Sequence, residues 1–471
     1  MQYLLQITIC ILKMKQKDLF NELILELVKC NFQEKMDFQN DFGGMQTSDS
    51  GQPIFLSKKA ATFINTFSQV LYDNFRQKEK IDYQVFNQVV TKKIANYVTA
   101  NDFDIETIEG NRKNLQDCIE KEFEDIENTK IIHHFPAATL NLNIEKSIIL
   151  GCVHIHSIKN WLETVDFSSK TKQWYKSKNN NELWKNDVLN CLEKSLAENE
   201  IDGLAEAVYH TVKNSNSIIS VEISGYEKKL SEKFARQVCK TSLDMLSLIL
   251  ADQRVFYNNV LQLERLPSLR YGEFTEKNGF LNLPSSGISK AFLPPLEDKD
   301  YEHIKSLIER MLNPYSFIIN GLVHPTTVNC PNLVSKWVFA LNWYAEGMRE
   351  SNDAIAVAKL ASCLDTLSSS GKLAGIKQVL CNVYECEDDH ILFGEKELNP
   401  ITIHNFVKRF YDDGRSRILH GTLESMLESF EADRNRLAKI ARWVLLELAN
   451  RLSVYKGEDT DKAFRIMKYD T

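Results

Sequence analysis

Arg415 and His420 stand five residues apart in the segment Phe410-Tyr-Asp-Asp-Gly-Arg-Ser-Arg-Ile-Leu-His-Gly421. These two residue types suit cleavage of a phosphodiester by an RNA's own 2′-hydroxyl. A neutral imidazole can take the hydroxyl proton, and a protonated one can supply a proton to the leaving 5′-oxygen. A guanidinium can clamp the non-bridging oxygens as negative charge develops on them. Neither step calls for a metal or any other cofactor. One imidazole does not readily serve both sides of an in-line displacement, so this chemistry expects a homodimer bringing two Arg–His pairs to one seam. The spacing alone is a weak signal, because it arises easily by chance.

The local sequence sets limits on how the pair is presented. Gly414 is expected to interrupt the preceding helix, with a fresh turn starting at Arg415. In a plain α-helix five residues give about 7.5 Å of rise and about 140° of rotation, so long Arg415 can still share a cleft with His420. Ser416 and Arg417 are the expected supporting residues, Arg417 lying three positions before His420 on a closer face. The alternative for Arg417 is an ordinary ion pair with Asp413 or another carboxylate. Downstream, Arg434, Arg436, Lys439 and Arg442 form a basic cluster that can guide RNA phosphates. It can equally be a solvated face balancing Glu428, Glu431 and Asp433. Residues 401–471 carry 13 Lys/Arg against 11 Asp/Glu, so recognition of shape is favoured over general attraction to RNA.

The elements that must hold these residues read as helices from Tyr301 onward. Pro331 starts a helix carrying Leu333, Trp337, Leu341, Tyr344 and Met348, and Ser351-Asn-Asp launches the next, Ala354 to Thr366. Lys372 to Val383 follows, then a helix with Ile403, Phe406, Val407 and Phe410. A last one spans about Ala432 to Tyr455, with Leu437, Ile440, Val444, Leu448 and Leu452 on one face. Short helices joined this way make a bundle. Trp337 and Trp343 read as core or interface residues.

Three stretches of this region resemble the HEPN superfamily, specifically its ApeA-like domains. Ala340-Leu-Asn-Trp-Tyr-Ala-Glu-Gly resembles the first core helix of that family. Asp353-Ala-Ile-Ala-Val-Ala-Lys-Leu-Ala-Ser-Cys-Leu-Asp-Thr-Leu resembles the second. Tyr411-Asp-Asp-Gly-Arg-Ser-Arg-Ile-Leu-His-Gly resembles the signature helix. The resemblance covers roughly residues 300–455. It implies Arg415 and His420 as the catalytic pair, Ser416 as the polar residue that follows, and Asp365 where a glutamate is common. Gly414 and the extra acidic residue before Arg415 depart from the usual approach to the motif. The family implies metal-independent RNA cleavage leaving a cyclic phosphate, homodimers, and roles in toxin or anti-phage defence systems with a defence or antitoxin partner. Some relatives are catalytically silent RNA- or protein-binding modules, which is the alternative reading.

The whole chain reads as α+β. Residues 1–127 are expected to be mainly helical, with a flexible linker near 36–54. Residues 128–297 read as an α+β domain of unknown role, and 298–471 as the HEPN-like helical domain. Helices are expected at Ala60 to Phe75, at Tyr83 to Val98 with Val85, Val89, Ile94 and Val98 on its apolar stripe, and at Asn111 to Glu127. Strands are expected at 130–135, 138–144, 147–156 and 217–224, with a helix over Glu227 to Leu250.

At 471 residues, 43% hydrophobic and 26% charged, the composition is that of a globular protein, and a net charge of −7 argues against a uniformly basic surface. The ten scattered cysteines suggest reduced, buried thiols. The apolar start, Met1 to Leu12, reads poorly as a signal peptide and is too short to span a bilayer, so no membrane partner and a cytoplasmic location are expected. Cys152-Val-His-Ile-His156 puts His154 and His156 on one strand face, but polar alternation explains this as well as a metal does. His133 and His134 fall on opposite faces, and Cys381 with Cys386 lacks a second ligand pair. No Gly-Lys-Ser/Thr phosphate loop occurs, which leaves nucleotide hydrolases unsupported.

Overall fold

In the computed structural model, the described residues are all except 1–14, 34–36, 101–107, 140–146, 176–180, 251, 265–269, 274, 279, 282–284, 289–297, 395–399, 424, 426, 470 and 471. The expectations for Met1 to Leu12 and for most of the 138–144 strand therefore lie outside the described residues. The chain folds into two compact units, Met1–Ile131 with Ile223–Phe234, and Ile132–Glu222 with Ala235–Thr471. Helices and antiparallel sheet coexist, so the architecture is mixed α+β. No described helix is long and apolar enough to cross a membrane.

The first unit packs α1 (Gln16–Val28), α2 (Lys58–Asp73), α3 (Tyr83–Thr99) and α4 (Ile108–Glu122) around one apolar core. The Ser57 side chain accepts from the backbone N–H of Ala60, which fixes where α2 starts. The buried stripe of α3 is Phe86, Val90, Ile94 and Val98, which keeps the expected Ile94 and Val98 but has Phe86 and Val90 in place of Val85 and Val89. Both stripes have helical spacing, and the one carrying the large Phe86 ring wins the core. The expected linker near 36–54 contains structure too. There β1 (Phe42–Thr47) pairs antiparallel with β2 (Pro53–Ser57), Met45 facing Phe55. Its glycines suggested a mobile loop, but pairing with Ile54 and Leu56, both buried, holds the hairpin in place.

Lying mostly in the second unit, β3 (Lys130–Thr139), β4 (Ile148–Leu150), β5 (Val153–Ser157), β6 (Ser217–Ser224) and β7 (Asn259–Leu261) form a sheet in the order β4-β5-β6-β3-β7. A satellite core of α5 (Ile158–Thr164), α6 (Trp184–Leu192) and α7 (Gly203–Val212) buries Leu162, Trp184 and Val208. After β6 comes α8 (Lys228–Leu250), then the helical array of α9 (Asp298–Val323), α10 (Pro331–Arg349), α11 (Asp353–Leu367) and α12 (Lys372–Tyr384). Sheet and array are joined within this unit. The β4–β5 turn donates from Gly151 N–H to Ser316 Oγ on α9 at 3.0 Å, and Gly151 has φ 58° with no room for a Cβ beside Asn320.

The array is tied by a polar cluster as well as by apolar packing. Arg349 on α10 pairs with Asp244 on α8 and donates to Phe256 O at 2.9 Å, while Lys240 reaches Glu346 at 2.6 Å. Burial pushes the Asp244 carboxyl up, and the adjacent Arg349 guanidinium opposes part of that shift. α10 and α11 approach closely at Gly347, where an added Cβ would lie 2.8 Å from Leu360 Cγ. Gly347→Ala is therefore expected to destabilise the protein by about 1–3 kcal/mol through overpacking. The urea midpoint of the full chain measures it, and an unchanged midpoint would show that the two helices have slack.

Candidate functional site

The last part of the chain carries α13 (Ile403–Lys408), a π-helical segment (Arg409–Ser416), α14 (Arg417–His420) and α15 (Glu431–Val454). The Thr402 side chain starts α13 by accepting from Asn405 N–H. Phe406 and Phe410 bury their rings edge to face, 4.9 Å apart. Gly414 does not interrupt the helix as the sequence suggested. It is buried inside the π segment, where a Cβ would come within 3.2 Å of Val357 Cγ1 on α11. Glycine here lets the backbone of the π segment come close to the Val357 side chain, and the chain winds wider through this stretch. Arg415 and His420 are therefore separated by a π-to-α transition, and the angular offset of a plain α-helix does not apply.

Arg415 is restrained on three sides. Its Nε donates to Ser362 Oγ at 3.3 Å, its Nη2 lies 3.4 Å from Asp365 Oδ2, and its guanidinium sits 5.4 Å from the centroid of the Tyr411 ring. Ser362 spends its own hydroxyl proton on Ala358 O, which leaves the oxygen free to accept. Asp365 Oδ1 is buried and has no hydrogen-bond partner among the described residues. The Arg415 side chain remains 25% exposed, enough to reach a ligand. His420 is exposed at the end of α14, where Gly421 adopts φ 65° and turns the chain away. Neither ring nitrogen is bonded to a described residue. Ser416, half-buried, closes the π segment.

Arg417 takes up the alternative that its sequence context allowed. It forms a two-pronged pair with Glu428, both N···O distances 3.2 Å. Arg409 does the same with Asp433, at 2.7 and 3.0 Å. Between these pairs lies a cavity of about 310 Å³, lined also by Val357, Phe410, Asp413, Gly414 and Phe430.

The basic cluster divides into two inward and two outward side chains. Arg434 is buried, pairing with Asp353 at 2.7 Å and donating to the carbonyls of Gly347, Met348 and Glu350. Arg442 donates to Leu248 O and Ile249 O at the end of α8. Both cap helix carbonyls and so correct the expectation that they guide phosphates. Arg436 is half-buried with its guanidinium unbonded to described residues, and Lys439 is exposed near the Phe393 ring. Of the four, only these two leave their charged groups at the surface. Trp337 donates to Leu445 O in the core, whereas Trp343 is 43% exposed.

The histidines of the sheet form a separate group. Trp161 Nε1–H donates to His134 Nδ1 at 3.2 Å, and Ser220 Oγ lies 2.7 Å from the same nitrogen. His154 and His156 stack at 5.8 Å, and His156 bonds Ser147. Among the described residues, no three His, Cys, Asp or Glu side chains are arranged to hold a metal ion. The described cysteines are all free thiols.

Sequence reasoning did not find Ser362 or the cavity. Ser362 and Asp365 share a helix face at i,i+3 spacing, a detectable signal; the cavity joins residues 357 to 433 and left none. Compared with protein-family models, curated proteins and solved structures, the chain matches none of them.

Two measurements follow from this geometry. Arg434→Met is expected to cost about 3–5 kcal/mol by leaving Asp353 and three carbonyls unpaired, against within about 0.5 kcal/mol for Arg436→Ala. Equal urea midpoints for the two variants would contradict this placement. The second concerns pH. Burial, followed by the nearby His156 and His133, holds His134 below its ordinary 6.5. On acidification the unfolded chain takes that proton first, so the contribution is full above about pH 6.5 and is lost as pH falls toward the lower folded value. Melting temperatures from pH 7 to 5 are expected to fall less steeply in His134→Gln, and parallel curves would refute the assignment.

Proposed function

We propose that this chain is a HEPN-type endoribonuclease that cleaves RNA without a metal ion and leaves a cyclic phosphate. The observation that carries the reading is the state of the two side chains. Arg415 is oriented by Ser362, Asp365 and Tyr411 yet partly open to solvent, and His420 is exposed with both ring nitrogens uncommitted to described residues. In this reaction His420 removes the 2′-hydroxyl proton, the 2′-oxygen bonds to phosphorus, and the P–O5′ bond breaks. The leaving oxygen takes a proton from His420 of a second copy, and Arg415 neutralises the charge on the non-bridging oxygens. The homodimer is thus part of the mechanism. A toxin or anti-phage effector working with a defence or antitoxin partner in the cytoplasm is the role this chemistry suits.

A second reading, a catalytically silent RNA- or protein-binding module, is favoured by one observation. The Arg415 charge is already matched by Asp365, so the arginine must give up part of that pairing to serve a phosphate.

The full chain incubated with RNA in EDTA is expected to release fragments ending in cyclic phosphate. His420→Ala is expected to slow this by about 10²–10⁴-fold, and Arg415→Ala to lower it as well. Equal cleavage by wild type and both variants would remove the catalytic assignment. Retained RNA binding with no cyclic product, in the presence of the activating partner, would favour the silent module.

A further inference from the structure

The cavity beside the motif is lined by groups of paired and opposite character. Arg409 with Asp433 and Arg417 with Glu428 each present a guanidinium fork and a carboxylate at its rim, and Phe410 and Phe430 supply aromatic lining. Its volume of about 310 Å³ falls at the lower end of small-ligand sites. We propose that this cavity is a guanine-binding pocket that selects the RNA base next to the scissile phosphate, a claim that rests on the ribonuclease reading above.

The choice of base follows from donor and acceptor order. A carboxylate accepts two adjacent donors, and a guanidinium fork donates to two adjacent acceptors. Guanine alone offers both, N1–H beside the 2-amino group on one edge and O6 beside N7 on the other. Adenine and cytosine each set one amino donor beside a ring-nitrogen acceptor, which a carboxylate repels. Uracil has a single N–H between two carbonyls. Unstacked RNA bases are commonly read in this way, by edge hydrogen bonds together with aromatic or guanidinium faces.

The existing ion pairs do not seal the pocket. Arg417 and Glu428 are about one-third exposed at 29% and 34%, whereas Asp433, the partner of the 58% exposed Arg409, is only 14% exposed. Arg417 and Glu428 are both only partly desolvated, so a base can enter between them without stranding a buried charge, while the Arg409–Asp433 pair stays closed as a wall of the pocket. Arg417 also begins the short helix that His420 ends, three residues away on a neighbouring face. A base held at Arg417 and Glu428 is therefore bound at the start of the helical turn that ends at His420. That proximity favours a base within RNA over a free guanine nucleotide.

Calorimetric titration of the full-length protein in EDTA separates these sources. The probes are GMP, AMP, CMP, UMP and the uncleavable 2′-O-methyl trinucleotides UGU and UAU. GMP is expected to bind at least about tenfold tighter than the other mononucleotides, and UGU tighter than both GMP and UAU. Glu428→Gln and Arg417→Lys are each expected to lower GMP affinity about tenfold, with unchanged AMP affinity and melting temperature. If either variant unfolds, the other decides. GMP binding no tighter than AMP, or full preference retained in a folded variant, would overturn the pocket. UGU no tighter than GMP would overturn its assignment to RNA. Guanine preference without any cleavage would count against the nuclease and support the pocket, and cleavage indifferent to neighbouring guanine would do the reverse.

Discussion

The guanidinium of Arg434 closes the turn between α10 and α11. From the first turns of α15 it donates to the carbonyls of Gly347, Met348 and Glu350 and pairs with Asp353. Those carbonyls belong to the end of α10, where no intrahelical donor is left for them, and Asp353 opens α11. One side chain therefore fixes where α10 stops, where α11 starts and how both sit against α15. Charge-assisted bonds suit this place, because a buried carbonyl without a donor and a buried arginine without an acceptor are each costly. Since Ser362 and Asp365 lie further along α11, the orientation of Arg415 depends on this clamp.

The π segment is the second constraint. Phe406 and Phe410 must be buried, Gly414 must meet Val357, and Arg415 must reach over α11 to Ser362 and Asp365. An α-helix from Ile403 to His420 would keep one regular offset between these residues. Widening the helix from Arg409 to Ser416 moves the residues after it relative to those before. Arg415 then turns to α11, while Arg417, two positions on, pairs with Glu428 at the cavity. Neighbouring arginines thus serve different surfaces because of one irregular turn.

Charge was the property hardest to place from the sequence. Arg434, Arg436, Lys439 and Arg442 form one basic run, yet two cap buried helix carbonyls and two face outward. The difference lies in what each guanidinium meets across the interface. The partners of Arg434 are about 80 residues earlier in the chain, and those of Arg442 nearly 200 earlier. Local sequence contains no trace of either. The hairpin at Phe42–Ser57 went unseen for a related reason, since its order comes from cross-strand partners and the burial of Ile54 and Leu56.

The sequence by itself determined most of the helices, because apolar spacing and capping side chains act over one or two turns. It marked Pro331 and the run Ser351-Asn-Asp as helix starts, within which Asn352 is the capping residue, and the Leu437, Ile440, Val444, Leu448 and Leu452 face as core. It also singled out Arg415 and His420 by residue type. Tertiary structure decided the winding around Gly414, the restraint of Arg415, and the cavity between Arg409 and Arg417. Each of these is set by contact between α11, the π segment and the start of α15. A pattern read along one helix records which face is buried, but it does not record what that face meets.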